Sequence, residues 1–438
     1  MSAVEQNAAS VFDINLRAVM ATLLFTGMLL ATILAAPAAR AQTFHVIYTF
    51  TGSQDGGLPS GAMAIDRSGA LYGTTETSRT GAGTVYKLAP RGSGWILTPL
   101  YDFSGGSDGE LPVAGVIFGP DGSLYGTTLA GGVLRGCPGN GYNGCGVVFQ
   151  LQPPSSACKS AICPWHETVL YSFAGGTDGW NPWDGVTFDQ AGNLYGTTYY
   201  GGSSNCTYGG CGIVFKLTHS GGQWTKSTLY GFASGNDGAS PMGGVTFNSS
   251  GNLYGSTTEG GTGNCRSGCG TIFSLTPSNG GWAEQVIYSF QGGSDGGYPT
   301  ANLISDTTGN LYSVIGANSD SDAPVFELTS SNGNWSFNSI YQVLGGGNSL
   351  VMDAADNLYG TSGDGGADGL GLVFKLTPSG GGWLYTDLHD FTGFDEDGFY
   401  PNGGVALDVN GNIYGTASQG GNLSDCYTGC GVVWEITP

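Results

Sequence analysis

Positive charge is scarce in this sequence: 12 Lys and Arg stand against 33 Asp and Glu, a net charge of −21 over 438 residues. Phosphate binding needs a basic face, so nucleic acid is excluded as a partner. Charge of either sign is thin, at 10 % of residues against a usual figure of about 25 %. Histidine is limited to His45, His166, His219 and His389. None is placed with a Ser or Cys nucleophile, so a hydrolytic triad has no support. The GxSxG matches at Gly105–Gly109 and Gly292–Gly296 belong to a repeated loop rather than to a strand-to-helix elbow. Beyond residue 34 no apolar run is long enough to span a bilayer. Proline numbers only 18 and the glycines keep no three-residue period, which excludes a collagen-like chain.

Glycine is abundant instead, with 81 residues, alongside 12 % aromatic and 40 % apolar residues. That composition can build a core and punctuate it with turns, so an all-β protein is expected rather than bulk disorder. Near the N-terminus, Arg17 precedes the apolar run Ala18–Leu34, and Ala39-Arg40-Ala41 offers a small-x-small cleavage site. Residues 1–41 read as a signal peptide and Gln42 as the mature start. Glu5 and Asp13 make the leader unusual, and an uncleaved anchor is the competing reading. A membrane would be engaged only through that segment, since the chain stops at Thr437-Pro438 without a recognisable anchor. The expectation is an extracytoplasmic protein, secreted or at the cell surface.

The motif (G/D)(N/S/A)(L/I)Y recurs seven times, with its tyrosine at Tyr72, Tyr125, Tyr195, Tyr254, Tyr312, Tyr359 and Tyr414. The mean spacing of 57 residues, filled with short strands, indicates a propeller or solenoid. The third unit shows the pattern: GVTF (185–188), a turn, LYGTT (194–198), a glycine-rich loop, IVFKL (213–217), a turn, and WTKSTLYGF (224–232). Four short strands per unit is the composition of a propeller blade. Phe44–Phe50 matches a fourth strand, whereas the C-terminal Val432–Ile436 matches a third. This predicts a seven-bladed β-propeller over residues 42–438, with an N-terminal strand completing the last blade and hiding the sheet edges. The blades fall roughly at 59–103, 112–173, 182–232, 241–290, 299–343, 348–391 and 401–438 plus 44–50.

The longer motif GNLYGTT…GG…GCGxVFKLTP is cleanest at 192–198 with 210–218 and at 251–257 with 268–277. It resembles the GloVer-type extracellular tandem-repeat family across essentially the whole mature chain. The resemblance implies an exported protein with a variable surface anchor and no established activity. The VxFDxxGNLYG stretch is also similar to NHL-type propeller blades, which places GVTF as the innermost strand.

In that arrangement the loops entering the inner strand share one face with the long loops after LYGTT. Loops on a rigid scaffold are where function concentrates. Six of the entering loops carry Asp-Gly-x-x-Pro, with Asp55, Asp108, Asp178, Asp237, Asp295 and Asp397. Turn chemistry explains the motif, since Asp caps its own backbone and Gly takes positive φ. A ring of carboxylates holding Ca²⁺ is the sharper alternative.

Ten cysteines fall in five local pairs: Cys137 with Cys145, Cys158 with Cys163, Cys206 with Cys211, Cys265 with Cys269, and Cys426 with Cys430. An even count in an exported chain reads as disulfides, paired within each couplet. Zinc is disfavoured because no CxxC…CxxC spacing or accompanying His is present. Blade 3 gathers Trp180, Trp183, Tyr199, Tyr200 and Tyr208 with Asp178 and Asp184 close by, a combination suited to stacking a sugar or to packing loops together. The four residues before each blade's first turn include no ionisable group, so the tunnel wall is expected to lack an acid or base.

Two functions follow as expectations. The first is a non-catalytic propeller that binds a glycan, a protein or a surface through its loop face. The second is a Ca²⁺-assisted carbohydrate-active enzyme using Asp178, Asp237 or Asp397, with a purely structural envelope protein as a blander alternative.

Overall fold

The computed structural model describes residues 42–135, 137, 143–155, 164–206, 209–316, 323–393, 397–421 and 426–438. The expected signal peptide 1–41 and Tyr208 lie outside the described residues. Residues 44–437 form a seven-bladed propeller in which every blade is a four-stranded sheet. Blade 3 is typical, with strands Thr187–Phe188, Leu194–Thr198, Ile213–Ser220 and Gln223–Gly231 joined antiparallel in chain order. The last sheet runs Thr43–Thr49, Val432–Thr437, Ile413–Ala417, Ala406–Leu407, so an N-terminal strand completes it.

The recurrent LYG triplet is explained by packing. The glycine lies under the aromatic of the third strand, and a Cβ on Gly196 would stand 2.7 Å from the Phe215 ring. The glycine therefore makes room for a large ring at the sheet centre. Phe215 is in turn fully buried and receives the edge of Phe173, which follows the outer strand of blade 2, at 5.2 Å. The same contact recurs as Phe103–Phe149, Phe232–Phe273 and Phe290–Phe326. Each of these blades thus inserts one ring into the core of the next, and the aromatic edges hold the neighbours together. Threonines of the second strands add hydrogen bonds across junctions, Thr127 Oγ1 donating to the Asp184 carbonyl and Thr197 Oγ1 to that of Gly243, both at 2.9 Å.

The loop arrangement follows the sequence reading. The loop entering blade 3 and the loop after its second strand pair through Trp180 and Tyr200, and Ala239 with Glu259 and Phe399 with Gln419 repeat this in blades 4 and 7. Disulfides join Cys137 to Cys145, Cys206 to Cys211, Cys265 to Cys269 and Cys426 to Cys430, with Cα separations of 5.1–5.6 Å. The fifth expected bridge, between Cys158 and Cys163, is not among them: both Cys158 and Cys163 lie outside the described residues. The four bridges point to folding in an oxidising, extracytoplasmic compartment. Among the described residues, no helix is long and apolar enough to cross a membrane.

Candidate functional site

The six loop aspartates are dispersed, one per loop, beside the outer strands. Asp55 accepts from Tyr48 Oη at 3.0 Å and from the Thr51 amide at 2.9 Å. Asp108, Asp178, Asp237 and Asp295 repeat that pair of bonds with Tyr101, Tyr171, Tyr230 and Tyr288 and with the amide four residues before each aspartate. At the entry to blade 7, His389 on the outer strand of blade 6 replaces the tyrosine, with Nε2 3.3 Å from Asp397. These carboxylates are committed to shaping their own loops, and the structure does not gather them into one cage. Among the described residues, no group of three or more His, Cys, Asp or Glu side chains converges as a metal site would require.

The blade 3 aromatics divide. Trp180 is 2 % exposed, stacks on Tyr200 at 4.3 Å and donates from Nε1 to the Gly209 carbonyl, so its faces are not open to a ligand. Tyr199 meets the edge of Tyr200 at 4.6 Å. Trp183 instead remains half-buried at the mouth of the central tunnel. Asp178 lies away from it, bonded to Tyr171 and Lys226.

That mouth is a cup of about 370 Å³ to which every blade contributes. Around it stand Ser60, Val113, Trp183, Met242, Thr300, Asn348 and Asn402, with Glu76 and Asp184 among them. Below it a second cavity of about 420 Å³ follows the inner strands, and Asp184 and Asn302 line both. The chain segments that build this wall are copies of one repeat. The residue after the motif proline, however, changes from Ser to Val, Trp, Met, Thr and Asn around the ring.

Asp184 corrects the expectation of a tunnel without acids. The inner strand of blade 3 is only Thr187–Phe188, so the extended stretch before it also faces the tunnel. Asp184 Oδ2 and Asn302 Oδ1 both accept from the amide of Gly244, at 2.8 and 2.6 Å, which ties blades 3, 4 and 5 together. Burial raises the Asp184 carboxyl above the ordinary carboxylate range, outweighing the bonds from Gly185, Asn302 and Gly244. Glu76 is raised for the same reason. The signal for Asp184 was present in the repeats, because the residue before the inner segment is Gly, Ala or Asn in the other six blades. Glu76 ends a second strand and departs from the repeat without any pattern that sequence alone would single out.

The cup therefore offers carboxyl and carboxamide groups beside one indole. It includes no Lys, Arg or His among its lining residues, so it has nothing to balance an anionic ligand. Donors and acceptors without a fixed positive charge, next to an aromatic face, suit a neutral polyhydroxylated molecule.

Two solved structures are remotely similar to this chain. A gluconolactonase from Xanthomonas campestris is 13 % identical, with a TM-score of 0.42 and 92 % of each chain covered. A polysaccharide lyase, an ulvan lyase described in complex with its saccharide, is 10 % identical with a TM-score of 0.50, covering 90 % of this chain and 95 % of the lyase. These likenesses are of fold. No curated protein matches the chain. Residues 36–162 and 139–323 match the model of the Gloeobacter/Verrucomicrobia repeat, and the chain belongs to that repeat family.

Proposed function

We propose that this propeller is a secreted or cell-surface binding protein whose ligand, a neutral carbohydrate, seats in the cup at the loop-face mouth of the tunnel. The observation that carries this reading is the composition of that cup: Trp183, Asp184, Glu76 and three asparagines meet there, without a cation, on seven otherwise repetitive blades. Trp183 supplies the stacking face, and the asparagines supply paired donors and acceptors for adjacent hydroxyls. The disulfides are consistent with an extracytoplasmic protein, and the net charge of −21 disfavours nucleic acid and acidic surfaces. The test is a neutral glycan array, run with Ca²⁺ and with EDTA, on the wild type and on W183A and D184N. Hits lost in both variants support the reading, and an array blank in both conditions sinks it.

A hydrolytic or eliminative reading rests on one observation, that two carboxyls, Glu76 and Asp184, line the same cup, where burial pushes both above the ordinary range. Protonated carboxyls are the general acids of glycoside cleavage. Release of reducing ends from bound glycans, abolished in E76Q and D184N, would move the protein into that class.

A further inference from the structure

On the opposite face, between blades 2 and 3, lies a groove of about 810 Å³ that the repeat does not explain. The corresponding junction between blades 3 and 4 leaves about 510 Å³. Both are floored by the same aromatic trio, a second-strand tyrosine meeting the phenylalanine and tryptophan of the next blade. These are Tyr125 with Phe188 and Trp224 in the first, and Tyr195 with Phe247 and Trp282 in the second.

Three departures from the repeat converge on the larger groove. Gln150 stands where blades 1, 3 and 6 have Lys87, Lys216 and Lys375. At the blade 3–4 junction Lys216 leans over Tyr195, 5.2 Å from the ring centre and 4.0 Å from Asp189. Gln150 takes that role with a shorter, uncharged side chain, Nε2 donating to Asp121 at 2.9 Å and to Tyr125 Oη at 2.7 Å. It is 9 % exposed, lines the groove, and its carbonyl oxygen accepts no hydrogen bond from any described residue. His219 replaces a proline found at this position in five blades and lies against Trp224 at 5.0 Å. Gln223 replaces the glycine of blades 1, 4 and 6. The ladder of the outer hairpin in blade 2 also ends at Gln152–His166, two rungs before that of blade 3 at Ser220–Gln223, which shortens the wall that paired strands give the groove.

We propose that this groove is a second ligand site, independent of the tunnel mouth, and that it takes a segment of a neutral oligosaccharide. Trp224 lines the groove as an aromatic surface for sugar C–H groups, while Gln152 and Gln223 offer amides and Gln150 its carbonyl oxygen to hydroxyls. The lining includes no Lys, Arg or Glu, and its single carboxylate, Asp121, is occupied by Ser123, Tyr125 and Gln150. A volume near 800 Å³ is in the range that encloses a drug-sized ligand.

The test is calorimetric titration of the purified protein with cellohexaose, xylohexaose, mannohexaose and maltohexaose. Saturation-transfer NMR on the same mixtures reports weak binding. At least one hexasaccharide is expected to bind. Q150K installs the lysine that blades 1, 3 and 6 carry and H219P the proline of five blades, so both use residues that these positions already accept elsewhere in the ring. In the D184N background, which disables the tunnel mouth, Q150K is expected to weaken binding at least tenfold and H219P and W224A severalfold. Binding lost in D184N but kept in Q150K and W224A assigns the sugar to the tunnel mouth and overturns the second site. Binding of no hexasaccharide overturns it as well.

Discussion

Lys226 Nζ lies 2.8 Å from Asp178 Oδ1, joining the outer strand of blade 3 to the loop that enters that blade. The same position, opposite the leucine of the third strand, holds Glu167 in blade 2 and Glu284 in blade 4. Those glutamates lie near Asp108 and Asp237, and each keeps one buried oxygen without a partner among the described residues. One entering loop is tied by an ion pair, and at its two neighbours the same place sets two carboxyls near one another.

Stability should therefore rise on mild acidification. Burial, and then the neighbouring aspartate, pushes Glu167 and Glu284 up to about 7. A carboxyl whose folded pKa is raised binds its proton more tightly in the native state. Its contribution is complete below the unfolded value and is lost as pH climbs through about 7. Thermal melts from pH 5 to pH 8 should show a falling Tm, worth on the order of 1 kcal/mol per glutamate after solvent screening. The double variant E167Q/E284Q should flatten that slope. Below about pH 4 the trend reverses, because turn aspartates such as Asp189 and Asp353 are held below the ordinary range and lose their bonds on protonation.

The disulfides should act on the neighbouring blade as well as on their own loop. Gly292, at φ +81°, rests on the sulfurs of Cys265 and Cys269, and a Cβ there would stand 2.6 and 2.8 Å from them. Gly52 rests in the same way on Cys426 and Cys430. G292A is expected to destabilise by about 1–3 kcal/mol, through positive φ and overpacking together. C265S/C269S should cost about 2 kcal/mol. Hydrogen exchange would then show loosened amides in the loop entering blade 5. Exchange confined to the 265–269 loop would contradict the coupling.

Replacing the LYG glycine tests the packing that defines the repeat. G196A should cost about 1–3 kcal/mol, because its Cβ collides with Phe215. In G196A/F215L the collision is relieved, so denaturant titrations of the four-membered cycle should show strong coupling between the two sites. Additive effects would mean that the ring and the glycine do not share this constraint.

Asp184 should separate ligand binding from folding. D184N keeps an acceptor for the Gly244 amide and should change Tm little, while weakening a tunnel-mouth ligand at least tenfold. D184A leaves the amide to Asn302 alone and should lose about 1–3 kcal/mol of stability. A D184N protein that binds normally would remove the carboxyl from the site.

The architecture was legible because every repeat states it: Tyr72 to Tyr414 mark the blades, and the stray strand at Phe44–Phe50 announces the closure. The functional surface was less legible, because the repeat masks it. The Asp-Gly-x-x-Pro loops read first as turn chemistry and second as a ring of ligands, and their aspartates bond to Tyr48, Tyr101 and their counterparts in the rim. Trp180 and Tyr200 suited either a stacking platform or loop packing, and in three dimensions they face one another. Asp184 was read with the blade 3 aromatics rather than with the tunnel, because short inner strands leave the tunnel wall to the extended residues before them. Sequence periodicity reports which residues share a position, whereas a site is built from the positions at which the blades differ.

The strand at Thr43–Thr49 that completes the last blade also sets a timetable. The first part of the described chain to emerge during synthesis must wait for Val432–Thr437, almost the last, before its ladder can form. Closure of the ring is therefore the most non-local step available to the chain, with the slow kinetics that such contact order imposes. Six blades can assemble as they arrive while the opening strand stays unpaired. The nascent protein consequently presents a bare sheet edge at each end, and protection from self-association is needed for as long as the ring is open.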